Sequence, residues 1–164
     1  LGIGFAFSPG YSDFIDDNYA DSTGIGGWCD LYLGVDYKIT PQLSVFGGVD
    51  FWMNGVDVVG FQSESYINTI FIPSIYAQYY FTKSRTFYVN GGIGLPIPNT
   101  GSEYFDYSSD GGTLGGNIGI AGGEGTARFE AGYLMVPVKV ESLSSGVSKD
   151  YDFGGFQFRF MFGF

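Results

Sequence analysis

The chain has 164 residues, of which 20% are aromatic, only 15% are charged and none is histidine, and its formal net charge is −10. This length fits one domain, 1–164, and the negative charge argues against nucleic-acid binding, since phosphate contacts need a basic patch. The absence of any run of 18 apolar residues excludes a transmembrane helix, and the single cysteine excludes an internal disulfide.

Alternating residues predict eight β-strands and no long helix. The strands are expected at about 1–8, 26–39, 43–54, 67–82, 86–96, 114–122, 127–140 and 152–164. In each of them, large apolar residues occupy one parity and small or polar residues the other, and this period of two is typical of strands. The last strand is the clearest case, because phenylalanine occupies every even position from 156 to 164.

The connections alternate between short turns and long loops. Short links at 40–42, 83–85 and 123–125 alternate with long ones at 8–25, 55–66, 98–113 and 141–151. This alternation predicts that all the short turns lie at one end of the sheet and all the long loops at the other. Folding about Ser84 pairs Tyr79 with Val89 and Ile75 with Ile93, apolar to apolar, so we expect this register.

Eight antiparallel strands of this length predict an all-β fold, a closed up-and-down barrel, because closure removes the exposed edges. The interior of an eight-stranded barrel is barely wide enough for side chains, and the apolar set carries too many rings to fit inside it. The opposite set is rich in glycine, which suits a crowded lumen. We therefore predict that the apolar face meets lipid, as in a transmembrane β-barrel, rather than filling a soluble lipocalin-like barrel.

These features resemble the small OmpA/OmpX-type outer-membrane barrels of Gram-negative bacteria. The resemblance covers the whole chain: eight such strands, short turns alternating with long loops, and an end at Phe162-Gly163-Phe164. It implies a bacterial outer-membrane location, with periplasmic termini, extracellular loops, and outer-membrane lipid and lipopolysaccharide as surroundings. It also implies that Phe160, Phe162 and Phe164 form the signal read by the barrel-assembly machinery during insertion. The short first strand departs from the pattern and leaves open whether residues precede Leu1.

The acidic residues gather in the long loops. Asp13, Asp16, Asp17 and Asp21 form the densest group, and carboxylate oxygens of this kind suit calcium or magnesium. Their spacing lacks the regular ligand pattern of a calcium loop, so the first interpretation is a solvated, repulsive surface. A metal site and a basic partner protein are the alternatives. We predict no cofactor.

Five charged residues near the short turns share the parity of the lumen: Asp36, Lys38, Arg128, Glu130 and Arg159. Asp30 and Asp50 have the same parity nearer the loops. Buried charges persist only when they are paired and hydrogen-bonded. We therefore expect salt bridges that plug the lumen, and a gated ion conductance is the alternative.

Prolines mark the seam between the fourth and fifth strands. The predicted register places Pro73 beside Leu95 and next to Pro96. Because proline cannot donate to a β-ladder, we expect weak pairing there. The seam is interpreted as a bulge that sets curvature or as a lateral opening for an apolar ligand.

Catalysis is not indicated, since outer-membrane enzymes of similar size use histidine as the general base and this chain has none. We expect a non-enzymatic, structural or surface-interaction protein whose acidic loops contact another envelope or surface protein. The alternative is a conduit, either lateral for small apolar ligands or axial for ions.

Overall fold

A computed structural model describes residues 1–18, 26–58, 64–122 and 126–163 of the chain. Its elements in chain order are β1 (Gly2–Phe7), α1 (Pro9–Asn18), β2 (Gly27–Lys38), β3 (Leu43–Val58), β4 (Glu64–Tyr80), β5 (Phe87–Gly94), β6 (Ile97–Thr100), β7 (Phe105–Ser109), β8 (Thr113–Gly122), β9 (Ala127–Met135), β10 (Pro137–Ser142), β11 (Ser148–Asp152) and β12 (Gly155–Phe162). Among the described residues, no helix is both long enough and apolar enough to cross a membrane.

Eight strands close into an antiparallel barrel. Their order around the barrel is β1-β2-β3-β4-β5-β8-β9-β12, and β12 pairs with β1 to complete the circle. The prediction of an all-β fold with a closed eight-stranded barrel is confirmed. The predicted register is also confirmed, because Tyr79 lies opposite Val89 and Ile75 lies opposite Ile93.

Side chains alternate across the barrel wall. On β12, the phenylalanines at even positions point outward and are about half exposed, whereas Gln157, Arg159 and Met161 are buried. The same pattern recurs on the other barrel strands, and the exposed apolar side chains include Ile3, Phe5, Leu31, Leu33, Val35, Tyr37, Phe71, Ile75, Tyr79, Phe87, Ile93, Leu114, Ile118 and Ile120. The barrel is therefore apolar outside and rich in polar groups inside.

Tyrosine rings fill the interior where the neighbouring strand carries glycine. Tyr76 lies opposite Gly92, and Tyr88 lies opposite Gly119. A Cβ atom at Gly92 would lie 2.3 Å from Cδ1 of Tyr76, and one at Gly119 would lie 2.2 Å from Cζ of Tyr88. Glycine is required at both positions because the rings approach the backbone so closely.

The long loops contain regular structure, which corrects the prediction that 8–25, 98–113 and 141–151 are only loops. The first holds α1, and β7, β10 and β11 form a separate three-stranded sheet in the order β11-β10-β7. Helix α1 begins where Ser8 caps it, since the Ser8 hydroxyl accepts a hydrogen bond from the Tyr11 amide at 3.1 Å and Pro9 occupies the first helical position.

Candidate functional site in the lumen and at the loop end

Arg159 on β12 is fully buried in the lumen and forms ion pairs with three carboxylates. Its Nε atom lies 3.0 Å from Oδ2 of Asp30, Nη2 lies 2.9 Å from Oδ1 of Asp50, and Nη1 lies 3.4 Å from Oε1 of Glu130. All four side chains are buried. We call these four residues the central cluster. It contains more carboxylates than guanidinium groups.

Strand register brings the central cluster together. Arg159 lies opposite Glu130 on β9 and opposite Gly4 on β1, and Gly4 in turn lies opposite Asp30 on β2. A Cβ atom at Gly4 would lie 3.2 Å from Oδ2 of Asp30. Because Gly4 has no side chain, the guanidinium of Arg159 reaches across β1 to Asp30.

Neutral polar side chains support the carboxylates of the central cluster. Glu130 accepts hydrogen bonds from Asn90 at 2.8 Å and from the Tyr88 hydroxyl at 3.2 Å. The Ser74 hydroxyl donates to Asp50 at 3.1 Å. These bonds hold the Glu130 and Asp50 carboxylates in place and provide part of the hydrogen bonding that buried charges require.

A second charged group lies near the short turns. Arg128 donates to Asp36, and Nη2 of Arg85 lies 3.8 Å from the same carboxylate. Arg85 also donates to Ser44 at 2.6 Å and stacks over Tyr80 at 4.2 Å. Asp36 therefore has two guanidinium neighbours.

Four of the five predicted lumen charges are thus divided between two groups. Glu130 and Arg159 belong to the central cluster, whereas Asp36 and Arg128 lie near the short turns. Lys38 is exposed and forms no ion pair with a carboxylate in the part of the chain that the structure describes.

Aromatic rings fill the loop end of the lumen under α1. Tyr11 packs on Trp28 with a centroid distance of 4.7 Å and on Phe153 at 5.0 Å. Asn68 on β4 donates to the Tyr11 hydroxyl at 2.7 Å. The same buried cluster contains Phe14, Ile15, Trp52, Ile70, Ile72, Tyr107, Leu134, Val136, Val138 and Val140. We call α1 together with this cluster the cap.

An ion pair ties the end of α1 to β11. Lys149 donates to Asp17 at 2.5 Å, and the Tyr151 hydroxyl donates to the same carboxylate at 3.0 Å. These hydrogen bonds lower the pKa of Asp17 below its ordinary value, and the bond to Asp17 raises the pKa of Lys149. Both side chains are well exposed, so the pair positions the helix but adds little stability.

The predicted acidic metal group is only partly described. Asp13 and Asp16 are exposed on α1 beside Asp17, and Asp21 lies outside the described residues. Within 1–18, 26–58, 64–122 and 126–163, no set of three acidic or cysteine side chains is arranged to hold a metal ion. The calcium hypothesis, which included Asp21, stays a prediction.

The proline seam keeps its register. Pairing runs from Phe71 opposite Ile97 to Ser74 opposite Gly94, with the same number of residues on both sides of the interruption. Leu95 donates to the Pro73 carbonyl at 3.0 Å, while Pro73 and Pro96 have no amide hydrogen to donate. The lateral opening at Pro73, Leu95 and Pro96 stays a prediction.

The predicted insertion signal lies at the end of β12. Phe160 and Phe162 point outward and are about half exposed, while Phe164 lies outside the described residues. Leu1 and Phe162 exchange backbone hydrogen bonds of 3.0 and 2.7 Å, so the start of β1 and the end of β12 meet at the short-turn end.

Sequence reasoning missed α1, although Ser8-Pro9 is a recognisable helix start. It assigned Asp30 and Asp50 to the lumen but did not join them to Arg159, and it did not place Arg85 in the lumen. Parity gives the face on which a residue lies, whereas these contacts depend on register across several strands.

Comparisons with protein-family models, curated proteins and solved structures found no match to this chain. The central cluster and the cap fill the lumen with paired charges and aromatic rings, and the loop end presents a folded acidic surface.

Proposed function

We propose that this protein is a non-enzymatic outer-membrane barrel that acts as a structural or surface-interaction protein through its acidic loop end. In this proposal the long loops are extracellular, the termini are periplasmic and the surrounding molecules are outer-membrane lipid and lipopolysaccharide. The observation that carries it is the apolar outer surface around a polar, charge-paired interior.

The outer surface supports the membrane part of the proposal. A soluble protein rarely exposes apolar patches larger than a few hundred Å², yet exposed apolar side chains occur on every strand of this barrel. In lipid, a closed barrel satisfies all its backbone hydrogen bonds and its apolar face needs no cover. The cap and the central cluster support a lumen that is closed to ions.

The loop end supports an interaction with a basic partner. On the exposed face of the β11-β10-β7 sheet, Glu141 lies opposite Asp106, and Asp150 lies opposite Lys139. Glu141 and Asp106 carry like charges, and like charges that face each other across strands are destabilising. A basic partner would relieve this repulsion, and the cap provides a rigid support for the sheet.

Paired arginine substitutions test the membrane setting. Ile118 on the barrel wall and Val147 at the loop end have similar exposed fractions, 68% and 65%. An arginine at the bilayer midplane of such a barrel costs about 2–4 kcal/mol, and one in water costs little. We expect Ile118→Arg, but not Val147→Arg, to impair folding into phosphatidylcholine vesicles, measured by protection from protease. Equal folding of the two variants, or a monomeric wild type without detergent, would refute the membrane setting.

Site-specific cross-linking tests the loop interaction. A photo-reactive amino acid at Asp106 is expected to give a cross-linked partner in intact cells, with a yield that falls as salt is raised. The same probe at Lys83, on the opposite end of the barrel, is the matched control. Absence of a salt-sensitive product at Asp106 and at Asp150 would contradict the proposed interaction.

A further inference from the structure

A groove crosses the outer wall of the barrel near its short-turn end. It extends over β5, β8 and β9 and has a volume of about 510 Å³. No charged side chain lines it, and we call it the wall groove. The lining side chains that matter below are those of Phe81, Phe87, Val89, Ile118, Phe129 and Ala131.

Strand register explains the depth of the wall groove. Ala131 on β9 lies opposite Ile118 on β8 and opposite Phe158 on β12. Ile118 and Phe158 point outward with exposed fractions of 68% and 49%, so the small methyl group of Ala131 leaves a depression between them. In the next outward row, Ile120 lies opposite Phe129, and these larger side chains bound the depression toward the short turns.

The turn between β4 and β5 lies at one end of the wall groove. Phe81 and Phe87 both line the groove, and the Phe81 amide donates to the Phe87 carbonyl at 2.9 Å, so the turn at 82–86 begins and ends beside it. Lys83 is exposed in this turn. Among the described residues, no carboxylate lies within ion-pair distance of Lys83. An unpaired ammonium group therefore lies at the end of an apolar groove.

The same turn provides a hydroxyl donor. The oxygen atoms of Thr82 and Ser84 lie 2.9 Å apart, and those of Ser84 and Thr86 lie 3.2 Å apart. Each hydroxyl group has one proton to donate, so two of the three protons form the two hydrogen bonds of this chain. The third is left for an acceptor outside it, such as water or a phosphate oxygen.

The charges around Lys83 favour an anion from outside the barrel. Asp36 is the described carboxylate nearest to the short turns, but it faces the lumen and is paired with Arg128 and Arg85. The described carboxylates outside the lumen belong to the long loops at the opposite end. No described carboxylate therefore repels an anion that approaches Lys83 along the outer wall.

We propose that the wall groove and the turn at 82–86 bind one anionic phospholipid. Its phosphate accepts hydrogen bonds from the Lys83 ammonium group and from the hydroxyl chain, and one acyl chain lies in the groove over Val89 and Ala131. Lipid tails are as apolar as the wall itself, so the groove fixes the position of the acyl chain, whereas Lys83 selects the charge of the headgroup. This inference rests on the membrane setting proposed above and adds a lipid class and a binding place.

NMR spectra of the protein in phosphatidylcholine nanodiscs with an increasing fraction of phosphatidylglycerol test the site. The Ala131 methyl group reports from the wall groove, and the Ala77 methyl group, exposed on β4 outside this groove, is the matched reporter. We expect a saturable shift of the Ala131 signal and no comparable shift of the Ala77 signal. Equal responses at both methyl groups, or a response that does not saturate, would overturn the site.

Two lysine substitutions test the selection of charge. Lys83→Gln is expected to raise the phosphatidylglycerol fraction that gives half of the Ala131 shift about fivefold, since one lysine near an anionic lipid contributes about 1 kcal/mol. Lys38, which is exposed and ends β2 at the same end of the barrel, is the matched control. Equal effects of Lys83→Gln and Lys38→Gln would mean a general attraction to the surface and would overturn the proposal.

Filling the wall groove tests the place of the acyl chain. We expect Ala131→Leu, but not Ala77→Leu, to remove the shift that phosphatidylglycerol causes at the Lys83 amide. Both variants keep an apolar side chain on the wall, so both are expected to fold. An unchanged Lys83 shift in Ala131→Leu would overturn the groove as the acyl site. A protein that does not fold into phosphatidylcholine contradicts the membrane setting, whereas a folded barrel without the selective response contradicts the lipid site alone.

Discussion

Replacing Arg159 by methionine should destabilise the barrel more than any replacement of one of its partners. Arg159 is fully buried and is the one cation within ion-pair distance of Asp30, Asp50 and Glu130 among the described residues. Removing one partner of a buried ion pair costs about 3–5 kcal/mol, because the other charge is left uncompensated. Here three carboxylates lose their cation, so we expect a loss of at least about 3–5 kcal/mol in the free energy of unfolding.

Glu130→Gln is the matched comparison. The amide oxygen of the new side chain can keep the hydrogen bonds from Asn90 and Tyr88, and Arg159 keeps two carboxylate partners. This change also removes one surplus negative charge from the interior, so we expect a loss of no more than about 1 kcal/mol.

Urea unfolding of the protein in lipid vesicles measures both changes. Trp28 and Trp52, the two tryptophans of the chain, are fully buried, so their fluorescence reports loss of the folded barrel. Equal losses for Arg159→Met and Glu130→Gln, or an Arg159→Met protein within about 0.5 kcal/mol of the wild type, would refute the compensating role of Arg159.

Three further predictions concern the lumen, the cap and insertion. Gly92→Leu should cost about 1–3 kcal/mol in the same urea assay, because its Cβ atom meets the Tyr76 ring. The carboxyl carbon of Asp17 should titrate in NMR spectra with a pKa below 3.8, and Lys149→Met should move that pKa upward. Since folding lowers this pKa, the stabilising contribution of Asp17 is present above about pH 4 and is lost as pH falls through the lowered value. Deleting Phe164 should slow insertion by the assembly machinery more than it harms a barrel that is already folded.

Each of these predictions has a control variant or a result that would contradict it. Gly55→Leu, at a glycine with no heavy atom within 4 Å of a built Cβ, should leave stability nearly unchanged. An Asp17 pKa at or above 3.8 in the wild type would contradict the ion pair. Phe164→Trp is the control for the deletion, because it keeps an aromatic residue at this position. Equal insertion rates for the protein with and without Phe164 would count against the insertion signal.

The barrel could be predicted because its decisive signal is local. The alternation on β12 gives the face of every residue from Gly155 to Phe162, and the turn at Ser84 sets the pairing of Ile75 with Ile93. These features need no knowledge of distant contacts.

The central cluster and the cap could not be predicted in the same way. Arg159 meets Asp30 only because β1 lies between their strands and carries Gly4 at the crossing point. Tyr11 packs on Phe153 because two loops far apart in the chain meet over the lumen. Both depend on closure of the whole barrel, which no short stretch of sequence encodes.

The pairing of Tyr76 with Gly92 and of Tyr88 with Gly119 separates two properties of the barrel. Truncating either tyrosine would leave a small residue on both strands of its pair, and would hollow the lumen without altering one outward-facing side chain. The free space in the lumen is thus set by the inward-facing residues of the strands, and compatibility with the surroundings is set by the outward-facing ones. In such a barrel, a few substitutions of inward-facing residues can open or close a passage along the lumen while the outer surface stays unchanged.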